Sequence, residues 1–396
     1  MTGTVATDVA GAWLDRHAAE LVEVRRLIHA HPELGREEQV TTALLVERLT
    51  AAGLAPTVFE GGSGVVCDVG DGDGPLVVLR ADIDALPLAD EKDVPYRSQV
   101  PGVCHACGHD VHTAVVLGAG LALAAAASEL GGRVRLLFQH AEELMPGGAI
   151  EVIRAGWVDG ATAIFALHCD PALDVGRVGL KSGPLTAAAD AVEVRFTGAG
   201  GHTSRPHNTT DLVHVLATVA TGLPEALSRL VDPRAGLCLV WGHASAGVAV
   251  NAIPTEGVLK GTLRVLDKAA WENAPALVRH IVAGLVQPYG ASAEVIYERG
   301  VPPVVNDPAA TALLTAAVRT SLGHGAAVAT AQSLGGEDYG WYLEKVPGAM
   351  ARLGVKPLGQ EHPHDLHQGR FDVDEDALAV GVRVLVAAAL AALDAT

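Results

Sequence analysis

The chain has 396 residues, and because a typical domain has about 150, we expect more than one domain. A net charge of −18 argues against a nucleic-acid or membrane partner, since nucleic acids and anionic lipids bind positively charged surfaces. With 49% hydrophobic and 19% charged residues the chain is not disordered, and its 45 glycines follow no Gly-X-Y period, which excludes collagen.

The lack of a recognisable targeting signal and the odd number of cysteines predict a cytoplasmic protein. The first 26 residues show no basic leader followed by an apolar run, and no segment reaches about 18 uninterrupted apolar residues. The most apolar segment, 111–127, is rich in Ala and Gly, which favours a buried helix. Five cysteines are an odd number for a disulfide framework, so we expect thiols that are free or metal-bound.

The first part of the chain alternates strands with helices, which predicts an α/β domain with a mainly parallel sheet and a site beyond the carboxyl ends of its strands. Pro32 separates two predicted helices within 12–54, and the turn Asp-Gly-Asp-Gly at 71–74 joins two predicted strands. The predicted strands are 64–69, 76–80, 134–138 and 161–167, and the later helices are 110–128 and 148–155.

After residue 184 the order becomes strand, helix, strand, strand, helix, strand, which is typical of a ferredoxin-like α+β sandwich. Two helices, 309–322 and 374–393, follow it. We therefore predict a larger domain formed by 1–184 and 300–396, interrupted by a smaller domain at 185–299. The predicted elements of the smaller domain are strands 191–197, 237–241, 256–265 and 293–298 and helices 210–228 and 272–285.

The segment CHACGHDVH at 104–112 packs thiols, imidazoles and a carboxylate into nine residues at the start of a predicted helix. Thiolate and imidazole are ligands that zinc and its neighbours prefer. Compatible groups follow at Glu142-Glu143, His168 and the C-terminal His362-x-His364-x-x-His367. A single histidine is more often a surface or core residue, but four separate segments together predict a metal site.

In a pair of adjacent glutamates, one carboxylate can bind a metal while the other transfers a proton. A solvent-exposed acidic turn would have the same sequence. Asp82, just past its strand, is interpreted either as a residue that orients a ligand or as a helix cap. The pair Cys104-x-x-Cys107 also fits a redox dithiol, but no second Cys-x-x-Cys follows it. No complete dinucleotide fingerprint, phosphate loop or Gly-x-Ser-x-Gly elbow occurs.

Nine motifs in order make the chain, from about residue 20 to 390, resemble the bimetallic amidohydrolases of the aminoacylase, hippurate-hydrolase and auxin-conjugate-hydrolase group, relatives of the glutamate-carboxypeptidase type of zinc carboxypeptidase. The resemblance implies a catalytic domain with a two-metal site, an inserted lid domain that usually mediates homodimerisation, and hydrolysis of N-acyl amino acids to a carboxylic acid and a free amino acid. The motifs are HAHPELGREE, RADIDALPL, HACGHDVHTA, FQHAEE, ALHCDP, GAGGHTSRPHNTTD, NAIPTEGVLKGTLR, GGEDY and LHQGRFDVDEDAL.

The resemblance also implies roles for particular residues. Glu142 resembles the general base that later protonates the leaving amine. His202 resembles the lid residue that stabilises the oxyanion, often in the partner subunit's site, and Asn251 and Arg264 resemble lid residues that meet the substrate carboxylate. Two divalent ions, of zinc, manganese, cobalt or nickel, are expected. Their implied ligands are Cys107 as the bridge, with His109, Glu143, His168 and His367.

Three departures from the family pattern bear on the site. Cys104 stands where methionine is common, which favours a core-filling role. Gln-Gly-Arg replaces the usual Ser-Pro after His367, and His362 and His364 lie just upstream, yet His367 keeps its flanking leucine and the downstream phenylalanine. His140 stands where proline is common and is expected to leave both glutamates in register.

We therefore predict a metal-dependent amidohydrolase that acts on N-acyl amino acids. A metallo-dipeptidase or carboxypeptidase on the same two-metal site is the alternative within this class. A binding protein without activity, or a redox protein built on Cys104 and Cys107, are alternatives from other classes. The sequence does not specify the acyl group, the amino acid or the native metal.

Overall fold

The computed structural model describes residues 2–71 and 73–395, so Gly72 in the predicted turn at 71–74 lies outside the described residues. The chain forms two compact units. Within the described residues the first unit comprises 2–183, 306–331 and 341–395, and the second comprises 184–305 and 332–340. These units differ from the domains predicted from the sequence at three places, because residues 184, 300–305 and 332–340 group with the second unit.

The helices in chain order are α1 (Thr2–Ala30), α2 (Gln39–Ala51), α3 (His109–Ala124), α4 (Ala149–Arg154), α5 (Leu212–Leu230), α6 (Lys268–Val286), α7 (Pro308–Leu322), α8 (Gly340–Leu343) and α9 (Asp376–Asp394). The strands are β1 (Thr57–Val58), β2 (Val65–Val69), β3 (Leu76–Asp82), β4 (Arg133–Gln139), β5 (Ala161–Asp174), β6 (Val178–Leu180), β7 (Gly183–Thr186), β8 (Ala188–Thr197), β9 (Gly201–His202), β10 (Cys238–Ala246), β11 (Ala252–Ile253), β12 (Glu256–Val265), β13 (Ser292–Val301), β14 (Val304–Asn306), β15 (Ala327–Ala329) and β16 (Gly348–Lys356).

The first unit contains an eight-stranded sheet in the order β1-β2-β4-β3-β5-β16-β6-β15. Its central strands β4, β3, β5 and β16 run parallel, whereas β2 is antiparallel to β4 and β6 is antiparallel to β16. The prediction of an α/β fold with a mainly parallel sheet is confirmed. The strands on either side of the 71–74 turn do not pair with each other, because β4 lies between β2 and β3.

Besides the short strands β1, β6 and β15, which were not predicted, two features of the central strands differ from the sequence prediction. The central strand β16 was not predicted, because it is buried along almost its whole length and its sequence, GAMARLGVK, has no alternation of apolar and polar residues. Strand β5 continues to Asp174 instead of ending at residue 167, since β16 pairs with it as far as Lys356. His168 therefore lies inside a strand.

Helices α1, α3 and α9 pack against one another, and α7 packs on α9. The predicted buried helix is α3, whose residues are buried from His109 to Gly120. Helix α9 is long and apolar enough to cross a membrane by length and composition, but 67% of its most apolar window is buried inside the protein. Both helices therefore belong to the core of the first unit.

The second unit has a four-stranded antiparallel sheet in the order β10-β12-β8-β13. Together with α5 and α6 this gives the strand-helix-strand-strand-helix-strand order and the ferredoxin-like topology predicted from the sequence. Helix α5 is amphipathic and buries one face. Its buried residues, spaced three or four apart, are Leu212, Val215, Val219, Leu223 and Leu227.

The close packing of α3 gives a stability prediction. A Cβ on Gly118 would lie 2.6 Å from Leu21 Cδ1 in α1 and 2.8 Å from Val382 Cγ2 in α9. Gly118→Ala should therefore lower the free energy of unfolding by about 1–3 kcal/mol, measured by urea denaturation. The control is Gly11→Ala in α1, where a Cβ meets nothing within 4 Å, and which should be neutral or stabilising by up to about 1 kcal/mol. Equal stabilities of the two variants would contradict this packing.

Candidate metal centre

The predicted ligands reach one place because the strands that carry them are parallel neighbours. Strand β3 ends at Asp82, β4 ends at Gln139 just before the glutamate pair, and β5 carries His168. Arg80 is in register with Ala166, so Asp82 lies level with His168 across the two strands. The residues therefore lie at the carboxyl edge of the sheet, where open α/β sheets bind ligands.

Two backbone turns present the ligands. Gly108 has φ +85° between Cys107 and His109, a left-handed conformation that favours glycine, and a Cβ there would lie 2.7 Å from Cys169 Sγ. In the other turn Ala141 has φ +53°, and its N–H donates to Glu38 Oε1 at 2.8 Å. Both turns are thus held by buried neighbours, which fixes the direction of the side chains that follow them.

The ligand atoms fall into overlapping groups. Those of Cys107, His109 and His168 lie within 4.8 Å of one another, as do those of Cys107, Glu143 and His367. Cys107 belongs to both groups, so its sulfur is the donor atom that the two groups share. The Sγ of Cys107 is 3.6 Å from His168 Nε2, and Glu143 Oε1 is 3.4 Å from His367 Nε2 and 3.9 Å from His109 Nε2.

Hydrogen bonds aim the imidazoles. His109 Nδ1 donates to the Asp84 carbonyl at 2.9 Å, and His168 Nδ1 donates to the Cys169 carbonyl at 2.9 Å, so both Nε2 lone pairs are left for another partner. His109 Nε2 and Glu143 Oε1 are buried without a hydrogen-bond partner. Buried polar atoms are normally paired. These two atoms, together with the Cys107 sulfur and His168 Nε2, offer the nitrogen, oxygen and sulfur donors that divalent metal ions such as zinc bind.

The pKa values match a site that takes up cations. Burial raises the pKa of the Glu143 carboxyl to about 7 and raises that of the Cys107 thiol above its usual range. Burial opposes the charge on His109, but Asp82 and Cys107 outweigh it and raise the pKa of His109 well above its ordinary value. Without metal these groups therefore hold protons, which a bound cation would displace.

Two residues to which the sequence analysis gave no role also shape the site. Asp84 accepts the Glu143 N–H at its Oδ2, 2.9 Å away, besides receiving His109 at its carbonyl. His112 lies beside the ligands, with Nδ1 2.6 Å from Asp82 Oδ1. The pattern Asp82-x-Asp84 at a strand end was a usable signal, because alternate residues of an extended chain face the same side. Asp82 does orient a histidine, but that histidine is His112.

The three departures from the family pattern leave these ligand groups together. Cys104 is fully buried and clusters with Leu86 and Ala106, with Lys92 Nζ 3.7 Å from its sulfur. His140 is buried, and its Nε2 lies 3.0 Å from Glu151 Oε2. His362 and His364 are exposed.

The candidate substrate residues lie in the second unit. His202 and Asn251 are exposed neighbours, since β9 pairs with β11 and the Thr203 N–H donates to the Asn251 carbonyl at 3.3 Å. The Ser204 N–H donates to His202 Nδ1 at 3.1 Å, so Nε2 is the nitrogen of this imidazole that remains for another partner. Arg264 lies in β12 and donates to the Leu334 carbonyl, so the structure does not group it with the other two.

Residues 78–391 match the sequence model of peptidase family M20/M25/M40, which is well over half of the chain. The match confirms the resemblance drawn from the nine motifs. An N-acyl-L-amino acid amidohydrolase from Geobacillus stearothermophilus is 38% identical over 294 residues, which cover 74% of this chain and 80% of that protein.

A Rhodococcus jostii protein named as a glutamate–cysteine ligase is 49% identical over 93% of this chain. The chain spans only 46% of that relative, so the ligase name describes a much longer protein. The crystal structure of the Bacillus subtilis YXEP protein, described as a dinuclear metal binding peptidase from the M20 family, has a TM-score of 0.86 at 32% identity and covers 96% of this chain and 99% of its own.

The raised pKa of Glu143 gives a pH prediction for the metal-free protein. Folded protein keeps this carboxyl protonated up to about pH 7, whereas an ordinary glutamate ionises near pH 4.5. The folded state thus binds more protons in that window, so this group makes the free energy of unfolding fall as pH rises from about 4.5 to 7.

Glu143→Gln should remove this part of the slope, measured by urea denaturation across the pH range after chelation. The exposed residue Glu361, changed to Gln, is the control and should keep the slope. An identical slope in wild type and Glu143→Gln would refute the buried environment described for Glu143.

Proposed function

Because the chain belongs to peptidase family M20/M25/M40, we propose that it is a metal-dependent amidohydrolase that cleaves N-acyl amino acids to a carboxylic acid and a free amino acid. The observation that carries the proposal is the pair of ligand groups that share Cys107, with a second glutamate beside them. The name of the Geobacillus relative supports the substrate class.

The proposed ligands are Cys107 as the bridge, with His109, Glu143, His168 and His367. Two bound divalent ions would polarise the acyl carbonyl and lower the pKa of water. Zinc, manganese, cobalt and nickel all suit this set of imidazole, thiolate and carboxylate donors, and supply decides between them as much as affinity does. His109 and His168 would bind a metal through Nε2, because each donates its Nδ1 proton to a main-chain carbonyl.

Glu142 is the proposed general base. Its Oε2 is 3.9 Å from His109 Nε2, and its side chain is 10% exposed, so it borders the ligand groups and still reaches solvent. A carboxylate at this position can take a proton from water and return it to the leaving amine. The neighbouring Glu143 lies at the same distance from His109 Nε2, but its Oε1 is also 3.4 Å from His367 Nε2, which supports separate roles for the two carboxylates.

His202 is the proposed donor to the oxyanion that forms at the acyl carbonyl. Asn251, its neighbour across β9 and β11, is proposed to bind the substrate carboxylate, and Arg264 is kept as a further candidate. We extend the proposal to a homodimer formed through the second unit, in which His202 of the partner subunit completes the site. Five free cysteines, four of them buried, support a reducing, cytoplasmic location.

A metallo-dipeptidase or carboxypeptidase is the second candidate. The family is one of peptidases, and YXEP is described as a peptidase, so the same ligands and base could act on a peptide bond. The two candidates differ only in the group on the acyl side of the scissile amide.

The test is a substrate panel assayed with the metal-loaded protein, containing N-acetyl, N-benzoyl and longer N-acyl amino acids beside dipeptides. We expect release of free amino acid from the N-acyl compounds, loss of that activity after chelation, and recovery when metal returns. Metal content near two ions per chain should accompany activity. Turnover of dipeptides alone would favour the second candidate, and metal-loaded protein without activity on any amide would refute both.

Glu142→Gln tests the general base. The amide keeps the shape of the side chain but accepts no proton, so kcat should fall by about 100-fold or more while metal content stays at the wild-type level. A variant with near wild-type kcat would contradict the assignment, and a variant that lost metal would identify Glu142 as a ligand.

Mixing two inactive variants tests whether His202 acts on the partner subunit's site. If it does, a heterodimer of Glu142→Gln and His202→Ala chains contains one intact site. Random subunit exchange should then restore about a quarter of wild-type activity. No recovery, despite subunit exchange verified by mass labelling, would show that His202 does not act on the partner subunit's site.

A further inference from the structure

A continuous set of buried hydrogen bonds lies directly beside the ligand groups and contains none of the proposed ligands. Its centre is Asp82, the last residue of β3. Asp82 Oδ2 accepts from Arg80 Nη1 at 2.6 Å, and Oδ1 accepts from His112 Nδ1 at 2.6 Å. Each of these three residues is at most 2% exposed. Both carboxylate oxygens of Asp82 are therefore paired within the protein.

His112 continues the set to the strand that carries His168. The Cys169 N–H donates to His112 Nε2 at 2.9 Å. Since Nε2 accepts this bond, the ring proton sits on Nδ1, where it is donated to Asp82. The Cys169 carbonyl in turn accepts from His168 Nδ1. His112 thus has no lone pair left for a metal, and it holds the residue whose carbonyl orients His168.

Arg80 continues the set to the strand that carries the glutamates. Arg80 Nε donates to Gln139 Oε1 at 3.0 Å, and the Tyr342 hydroxyl donates to the same oxygen at 3.0 Å. Gln139 Nε2 donates to the His140 carbonyl at 3.2 Å. Gln139 ends β4, so this contact fixes the first residue of the turn that leads to Glu142 and Glu143.

We propose that Arg80, Asp82 and His112 form a positioning network that holds two ligand-bearing segments in one geometry, with His112 a positioning residue for His168. The inference rests on the metal site of the proposed function. A main-chain carbonyl can aim a histidine only if the peptide itself is fixed, and the Cys169 peptide is fixed at its N–H by His112. A buried ion pair contributes little net stability, so we assign Arg80 and Asp82 the role of positioning the ligand-bearing segments.

The network explains why an apparently suitable group is excluded from the ligand set. Asp82, His109 and His112 offer ligand atoms within 4.8 Å of one another. A metal there would have to break the short bonds from Arg80 and His112 to Asp82, and it would have to displace the Cys169 N–H from His112. The positive charge of Arg80 beside the carboxylate opposes this further. These side chains serve the neighbouring ligands instead.

The test measures metal affinity in His112→Ala and His112→Gln, by chelator competition with zinc and by the thiolate absorption band of the cobalt-loaded protein. His112→Ala frees the Cys169 peptide, so the Kd should rise at least about tenfold, with a changed cobalt spectrum. Glutamine can donate to Asp82 and accept from Cys169 at once, so His112→Gln should stay within about threefold of wild type. Wild-type affinity and spectrum in His112→Ala would overturn the proposal.

Two controls separate positioning from general destabilisation. Tyr297→Phe removes a 2.6 Å hydrogen bond to Asp190 in the second unit, and it should lower the melting temperature without changing the Kd for zinc. If His112→Ala does not fold, Asp82→Asn carries the same test with an isosteric side chain, and an unchanged Kd in it would overturn the network. Cys107→Ser tests the ligand set separately, since undiminished metal binding in that variant would refute the metal site and not the network.

Discussion

The structure depends on one constraint, which is that several electron-rich side chains must be held together where water is largely excluded. His109 Nε2 and Glu143 Oε1 are buried without hydrogen-bond partners, and leaving such atoms unpaired costs about 1–3 kcal/mol each. The sheet and helix core of the first unit tolerates this cost because α3 and the central strands are buried almost throughout. A bound cation would pair with these atoms and turn their free-energy cost into a stabilising contribution, so metal binding and stability are coupled here.

The scaffold meets the constraint by making the ligand positions rigid before any ligand is bound. Cys107 and His109 flank Gly108 at the start of α3, and Gly118 lets α1 and α9 pack closely on the same helix. The glutamates follow a buried strand, and the Glu143 N–H is held by Asp84. Four proposed ligands thus belong to well-packed elements or to a turn anchored by a buried side chain, whereas His367 is exposed and its N–H donates to the Ala106 carbonyl at 2.8 Å.

Local patterns in the sequence predicted much of this. The alternation of strands and helices indicated the parallel sheet and the ferredoxin-like unit, and the density of thiol and imidazole at 104–112 indicated two of the proposed ligands, Cys107 and His109. The course of β16 could not be predicted, because its sequence has no alternation of apolar and polar residues and, unlike that of the equally buried β3, no run of Leu and Val. The role of His112 was equally hidden, since it depends on which nitrogen donates and which accepts, and both partners, Asp82 and Cys169, are distant in sequence.

The carboxylates of the site show how environment assigns different chemistry to one functional group. Asp82 is buried, which alone would raise its pKa, but His109 and Arg80 outweigh burial and hold that pKa well below the usual range. Glu143 is also buried, but the positive charge of His109 offsets less of the effect of burial, so the pKa of Glu143 is raised to about 7. Asp82 therefore stays an anion that pairs with Arg80 and His112, whereas Glu143 holds a proton up to about pH 7 that a metal at the proposed site would displace. The neighbours of the two carboxyls thus separate the proposed positioning carboxylate from the proposed metal ligand.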